Sequence, residues 1–168
     1  MGIVLARVDS RLFHGQVLEG WLPYTGATMV IVADDKAASN PLQKRIMEIA
    51  APDDIKFKVE GIDDAVADLN SDIGSAEKIM ILFSSPHDAF EAHKKGIKCN
   101  SINIGNINYV SGKKQITPSI ALNDDDVRDL KELVARGVAL DVRCVPKEKP
   151  SEFDELIDKY VNACRGQR

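Results

Sequence analysis

The sequence predicts an α/β fold: a doubly wound, mostly parallel sheet of about seven strands with helices on both faces, in a single domain over residues 1–168. Three observations predict it. Short apolar runs alternate with amphipathic segments, the pattern of a parallel sheet covered on both sides. The amphipathic segments open on capping residues and several close on glycine. The length, 168 residues of which 44% are hydrophobic, suits one core that buries roughly two-thirds of the unfolded surface.

Residues 3–8 are apolar but for Arg7 and read as a central strand, as do residues 29–33, which end at Asp34-Asp35. Residues 55–59 alternate apolar with charged side chains and predict a more exposed strand nearer an edge. Residues 78–83 read as buried again, and the short run 101–104 is cut off by Gly105-Asn106. Residues 115–118 are polar and limited by Pro118, which places them at a sheet edge. The last strand is expected over 138–145, closed by Pro146.

Helices fill the intervals. Residues 15–24 put Val17, Leu18, Trp21 and Leu22 on one face, and Gly26 terminates them. Asn40 as cap with Pro41 in the first turn starts a helix over 40–50. Residues 62–69 form the next; Ser85 caps one over 86–95, ended by Gly96. Asn123 caps the helix 123–136, whose Asp124, Asp125 and Asp126 face the positive end of its dipole and need no metal to explain them. Residues 151–164 close the chain with Phe153, Leu156, Ile157, Tyr160 and Val161 on the apolar stripe.

Charge and composition exclude several classes of function. The formal net charge of −4 argues against a nucleic-acid partner, which calls for a basic face. No apolar run approaches the roughly 20 residues that span a bilayer, and the start of the chain carries no secretory or lipidation signal, so no membrane insertion is expected. Cys99, Cys144 and Cys164 are widely spaced and in no paired motif, which fits reduced thiols in a cytoplasmic protein. His14, His87 and His93 share no metal-ligand spacing with them, so no metal is expected. His87 and His93 read as surface residues, and the charged end 165–168 as exposed.

In doubly wound sheets, ligands bind beyond the carboxyl ends of the strands. The loop after the first strand, Arg7-Val8-Asp9-Ser10-Arg11-Leu12-Phe13-His14-Gly15-Gln16, places two arginines, an aspartate and a histidine there. No glycine-rich dinucleotide motif or Walker lysine appears. A neutral imidazole is a nucleophile near neutral pH, and flanking guanidinium groups can hold a phosphoryl group bidentately. Amides at the following helix start add donors. The cluster suits a phosphohistidine on His14. Spacing alone leaves a second reading open, in which Arg7 pairs with Asp9 and His14 is a helix-start residue bonded to backbone.

The run from Leu5 through Val17, followed by Trp21, resembles the active-site signature of the enzyme IIB components of the mannose/fructose/sorbose phosphotransferase family. The resemblance continues through Val32-Ala33-Asp34-Asp35-Lys36, Ser84-Ser85-Pro86, Asn103-Ile104-Gly105-Asn106 and the segment 137–146. Phe13 stands where Ile is typical, Ser10 where Asp is frequent, and Gly105-Asn106 where Gly-Gly is commoner.

The resemblance implies a cytosolic phosphocarrier without cofactor. It would take a phosphoryl group from a phosphohistidine of enzyme IIA and pass it to a hexose carried by membrane components IIC and IID. His14 would be the acceptor, through the ring nitrogen nearer the backbone, with Arg7 and Arg11 contacting the phosphoryl group or orienting its loop. Asp9 would position an arginine or His14, or serve only as a structural partner. Ser84 and Ser85 would donate to the phosphate, with helix capping an equal role for Ser85. Gln16 is a weaker candidate, and Lys36 fits partner steering or a plain solvated surface. Trp21 reads as core. The alternative function is a regulatory relay whose phosphorylation state a partner protein reads, with no sugar moved. A hydrolase with His14 as general base finds no nucleophile elbow to work with.

Overall fold

The apolar runs become the middle of one sheet. A computed structural model of the chain describes residues 2–71 and 76–166. Its strands are β1 (Gly2–Asp9), β2 (Met29–Ala33), β3 (Lys56–Glu60), β4 (Lys78–Phe83), β5 (Ser101–Asn106), β6 (Lys114–Thr117), β7 (Ile120–Leu122) and β8 (Ala139–Val142). Six of these form the main sheet, in the order β3-β2-β4-β1-β5-β8, with every pairing parallel. The main sheet therefore has six strands among the described residues, not seven. The run expected at its edge, β6, pairs antiparallel with β7 in a separate two-stranded ribbon. Val138 and residues 143–145 lie outside β8, whose path ends where Arg143 turns to bond the carbonyl of Pro146.

The helices are α1 (residues 15–25), α2 (Asp35–Ala38), α3 (Pro41–Ala50), α4 (Ile62–Leu69), α5 (Pro86–Lys94), α6 (Asp124–Ala135) and α7 (Phe153–Arg165). Their starts follow the caps: Asn40, Ser85 and Asn123 each accept the expected backbone N–H, and Asp126 returns a bond to Asn123 to complete a capping box. Asp34 caps the short α2, an element the sequence pattern did not show. Gly26 ends α1 at φ 61°, a conformation that suits glycine. The three aspartates of α6 are engaged by protein groups: Asp124 by the Tyr160 hydroxyl, Asp125 by Arg128, and Asp126 by Lys113. In α7 the stripe is as expected except that Val161 faces outward. Of the charged end at 165–168, residues 167 and 168 lie outside the described residues.

The sheet divides two cores. Ala6, Val8, Ile31, Ile81, Phe83 and Ile104 point to one face, beneath α4, α5, α6 and α7. Val30, Val32, Met80 and Leu82 point to the other, where α1 and α3 lay Val17, Trp21, Leu22 and Met47 on them. The connection after β1 runs toward β2, and the connection after β4 crosses to β5 on the opposite side. Strand order thus reverses beside β1, which sits at the centre with β4 and β5 as neighbours, and the β1 loop emerges at that switch point. Among the described residues no helix is long and apolar enough to cross a membrane.

Candidate functional site

The loop after β1 folds back on itself. The Leu12 N–H donates to the Asp9 carbonyl at 2.8 Å, and Leu12 adopts φ 57°, a left-handed conformation that costs a non-glycine residue about 1 kcal/mol. Burial of the Leu12 and Phe13 side chains, with Phe13 packed on Phe57, holds that turn. Its effect is to return His14 to Asp9.

Asp9 is the hub. Its carboxylate is wholly buried and collects donors on both oxygens. Oδ2 accepts from Arg7 Nη2 at 2.7 Å and lies 2.8 Å from His14 Nε2; Oδ1 accepts from Arg11 N at 3.0 Å and Arg11 Nε at 3.2 Å. A buried carboxylate among these donors is an acceptor only, so the His14 Nε2 facing it carries the proton. The other ring nitrogen, Nδ1, has no hydrogen-bond partner among the described residues. The imidazole is about one-fifth exposed, at 18%. The arrangement orients the imidazole, with Nε2 on Asp9 and Nδ1 free of protein partners among the described residues.

Burial alone would raise the Asp9 carboxyl; hydrogen bonding from His14, the charge of Arg7 and the bonds from Arg11 outweigh it and hold the group at about 2. Its ordinary value is 3.8, so the folded state binds this proton less readily than the unfolded state. The stabilisation is complete at neutral pH and is lost as pH falls through about 4 toward about 2. We expect urea unfolding to show a loss of roughly 2–3 kcal/mol from this group over that window, removed in an Asp9→Asn variant.

Arg7 is completely buried, at the side of β1 that faces α1. Besides Asp9 it donates through Nη1 to Asn103 Oδ1, and its guanidinium packs 5.2 Å from the centre of the Trp21 ring. Burial lowers its pKa, opposed by Asp9. Gly105 makes room for it. A Cβ at that position would lie 2.0 Å from Arg7 Cζ and Nη1 and 2.1 Å from Nη2, so only hydrogen fits over the guanidinium face. Gly105→Ala should therefore cost about 1–3 kcal/mol of stability by overpacking, read as a lowered urea midpoint at unchanged slope.

Arg11 differs in exposure. Its side chain is 39% exposed and its Nη2 donates to Gln16 Oε1 at 2.8 Å, so it is anchored on Asp9 yet open to solvent beside His14. Gln16 thus serves Arg11. Ser84 and Ser85 sit in the loop after β4, next to the β1 loop, but both hydroxyls donate to Asp88 Oδ2 at 2.7 Å within α5. Lys36 is exposed on α2. His87 is exposed, with Nδ1 2.9 Å from Asp129 Oδ2, while His93 is only partly exposed. Trp21 is core as expected, but its Nε1 donates to the Cys144 carbonyl at 2.9 Å and its ring also carries Arg143 at 5.3 Å. Sequence reasoning missed Asn103, Gly105 and Arg143 as parts of this assembly. The available signal was a polar residue inside each of two short apolar strands, Asn103 and Asp141. Among the described residues no group of acidic, histidine and cysteine side chains could hold a metal ion.

Comparison with known proteins matches residues 3–166 to the family model "PTS system sorbose subfamily IIB component". The chain is 34% identical over 159 residues to the sorbose-specific EIIB component of Lacticaseibacillus casei, covering 95% of this chain and 97% of that one. It is 31% identical to the mannose-specific EIIAB component of Escherichia coli K12, where it spans 49% of the longer protein. Its fold superposes on the crystal structure of the IIBSor domain of the sorbose permease from Klebsiella pneumoniae with a TM-score of 0.90, at 31% identity and with 95% and 98% of the two chains covered.

Proposed function

The chain belongs to the sorbose subfamily of phosphotransferase-system IIB components, and on that premise we propose that His14 Nδ1 carries a phosphoryl group between two partners. The donor is a phosphohistidine of enzyme IIA; the acceptor is a hexose held by membrane components IIC and IID. One observation carries the reading: Asp9 Oδ2 faces His14 Nε2 at 2.8 Å, which fixes the tautomer and leaves Nδ1 as the outward nucleophile. A relative that contains an EIIAB component in one chain fits a IIA partner.

In the first step the Nδ1 lone pair attacks phosphorus in line with the donor's P–N bond. A new P–N bond forms at His14 as the old one breaks, and the donor imidazole leaves with the electron pair. Asp9 stabilises the positive charge that the phosphorylated ring acquires. Arg11, exposed beside the ring, neutralises charge on the equatorial oxygens, while Arg7, wholly buried, acts through Asp9. Donor and product are both phosphohistidines, so this transfer is close to isoenergetic and reversible. In the second step a sugar hydroxyl attacks the same phosphorus, the P–N bond to His14 breaks with its electron pair returning to Nδ1, and the hydroxyl proton passes to solvent as the sugar phosphate forms. Ser84 and Ser85, held by Asp88, would reach the phosphoryl group only by releasing that carboxylate.

The test is incubation with phosphoenolpyruvate, enzyme I, HPr and a cognate enzyme IIA, followed by mass-spectrometric localisation of the label. The expected result is an acid-labile, base-stable phosphoryl group on the peptide containing His14. Label on another residue, or none from an active donor, would overturn the assignment.

A further inference from the structure

One transverse row of the main sheet runs Val59–Val32–Leu82–Arg7–Asn103–Asp141, each residue the register partner of the next. The first three are apolar and bury under α1 and α3. The last three are polar, and Arg7 and Asn103 are almost wholly shielded from solvent. Buried polar groups on an otherwise apolar face carry a desolvation cost unless they are satisfied. A reason for their presence is therefore to be sought in what they hold.

Asn103 is satisfied on every side the geometry allows. Its Oδ1 accepts from Arg7 Nη1, and its Nδ2 donates to the carbonyls of Asp141 at 3.0 Å and Arg143 at 3.1 Å. Its carboxamide is thereby pinned to the end of β8 and cannot rotate without losing two bonds. The segment that follows β8 is pinned in turn: Arg143 Nε donates to Asp141 Oδ2 at 2.9 Å and Nη1 to the Pro146 carbonyl at 2.8 Å, while the Cys144 carbonyl receives Trp21 Nε1. Arg7 is the piece with freedom to lose. Its long side chain keeps position only if more than one contact fixes the plane of the guanidinium. Two bonds do so, one terminal nitrogen to Asn103 and the other to Asp9 Oδ2, while Nε has no partner among the described residues. Asp9 Oδ2 is the same oxygen that faces His14 Nε2.

We infer that Asn103 is a positioning residue for phosphoryl transfer: by fixing Arg7 it fixes Asp9 Oδ2, and through that oxygen the reactive tautomer of His14. It touches neither the phosphoryl group nor His14, and its influence reaches the ring through three hydrogen bonds in series, Asn103–Arg7, Arg7–Asp9 and Asp9–His14. With Asn103 removed, Arg7 keeps its packing on Trp21 and its bond to Asp9 but loses the bond that fixes the guanidinium within its plane, so the donor on Asp9 Oδ2 loosens and the imidazole facing that oxygen exchanges tautomers. The tautomer is thus set in part from β5, the strand next to β1. The inference rests on His14 being the phosphoryl acceptor, but its primary readout needs no donor.

The experiment compares 15N-labelled wild type with Asn103→Ala by long-range 1H–15N correlation of the His14 ring. Wild type should show a single tautomer protonated at Nε2. Asn103→Ala should show a mixture of tautomers, and its maximal rate of phosphoryl acceptance should fall roughly tenfold or more with the apparent affinity for the donor unchanged. A folded Asn103→Ala with the wild-type tautomer and rate would overturn the inference, however much its melting temperature drops. Should the alanine variant not fold, Asn103→Ser, which keeps a small polar group in the slot, is read in the same way, and wild-type behaviour there would overturn it equally. Because the tautomer is measured on the unphosphorylated protein, its failure is distinguishable from a failure of His14 to take label.

Discussion

Asp9→Asn is expected to slow phosphoryl acceptance by about 10²–10⁴-fold. The carboxylate receives four donors on two oxygens at 3.2 Å or less: Arg7 Nη2 and His14 Nε2 on one, and Arg11 N and Nε on the other. A carboxamide has one oxygen and one NH2 group, so at one end a donor must meet a donor. If the NH2 turns toward His14, the ring is relieved only by becoming an acceptor at Nε2, which moves its proton to Nδ1 and removes the nucleophile. If it turns toward Arg11, the turn that returns His14 to Asp9 loses two of its bonds. Either orientation also leaves the buried Arg7 charge without its counterion. Single-turnover transfer from phosphorylated enzyme IIA checks this, with a circular dichroism spectrum to confirm that the variant is folded. Transfer within a factor of a few of wild type would show that Asp9 does not set the tautomer.

The largest effect on stability is expected from Arg7→Met, which keeps much of the side-chain volume and removes the charge. Breaking a buried ion pair by deleting one partner costs about 3–5 kcal/mol, because the remaining charge stays out of water. In a chain of this length that corresponds to a melting temperature lower by roughly 6–20 °C. Asn103 Oδ1 also loses its donor. The acid response gives a second, independent signature. With Arg7 gone, a major influence opposing the burial of Asp9 disappears, so its carboxyl rises from about 2 and acid unfolding begins at a higher pH. Thermal melts at neutral pH and an acid titration together check both effects. An Arg7→Met protein as stable as wild type at pH 7 would mean that the Arg7–Asp9 pair is incidental to the fold.

Both variants strike the part of the molecule that was most legible in the sequence. Arg7, Asp9, Arg11 and His14 lie within eight residues, and a strand followed by a helix start brings them together by local geometry alone. The same holds for the central strands, whose largely apolar runs became β1, β2 and β4, and for helices announced by Asn40, Ser85 and Asn123. The misses have a common physical source. Asn103 and Asp141 matter because they share a row with Arg7, and register between distant strands is not encoded in any local period. Residues 115–118 were correctly read as a strand but assigned to the wrong sheet, since their partner β7 is only three residues long and gives no alternation to detect. The π-helical stretch Val17–Trp21 within α1 likewise leaves no mark on the apolar spacing that predicted the helix. Ser84 and Ser85 illustrate a different limit. A serine before a helix and a serine facing a phosphate look the same in sequence, and here the structure gives both hydroxyls to Asp88.

The chemistry attributed to this loop comes down to which atom of which ring bears phosphorus. Combined 31P and 15N NMR on protein phosphorylated through enzyme IIA reads that bond directly. The account predicts phosphorus bonded to Nδ1 of His14, with Nε2 still protonated toward Asp9. Phosphorus on Nε2, or on His87 or His93 instead, would contradict it.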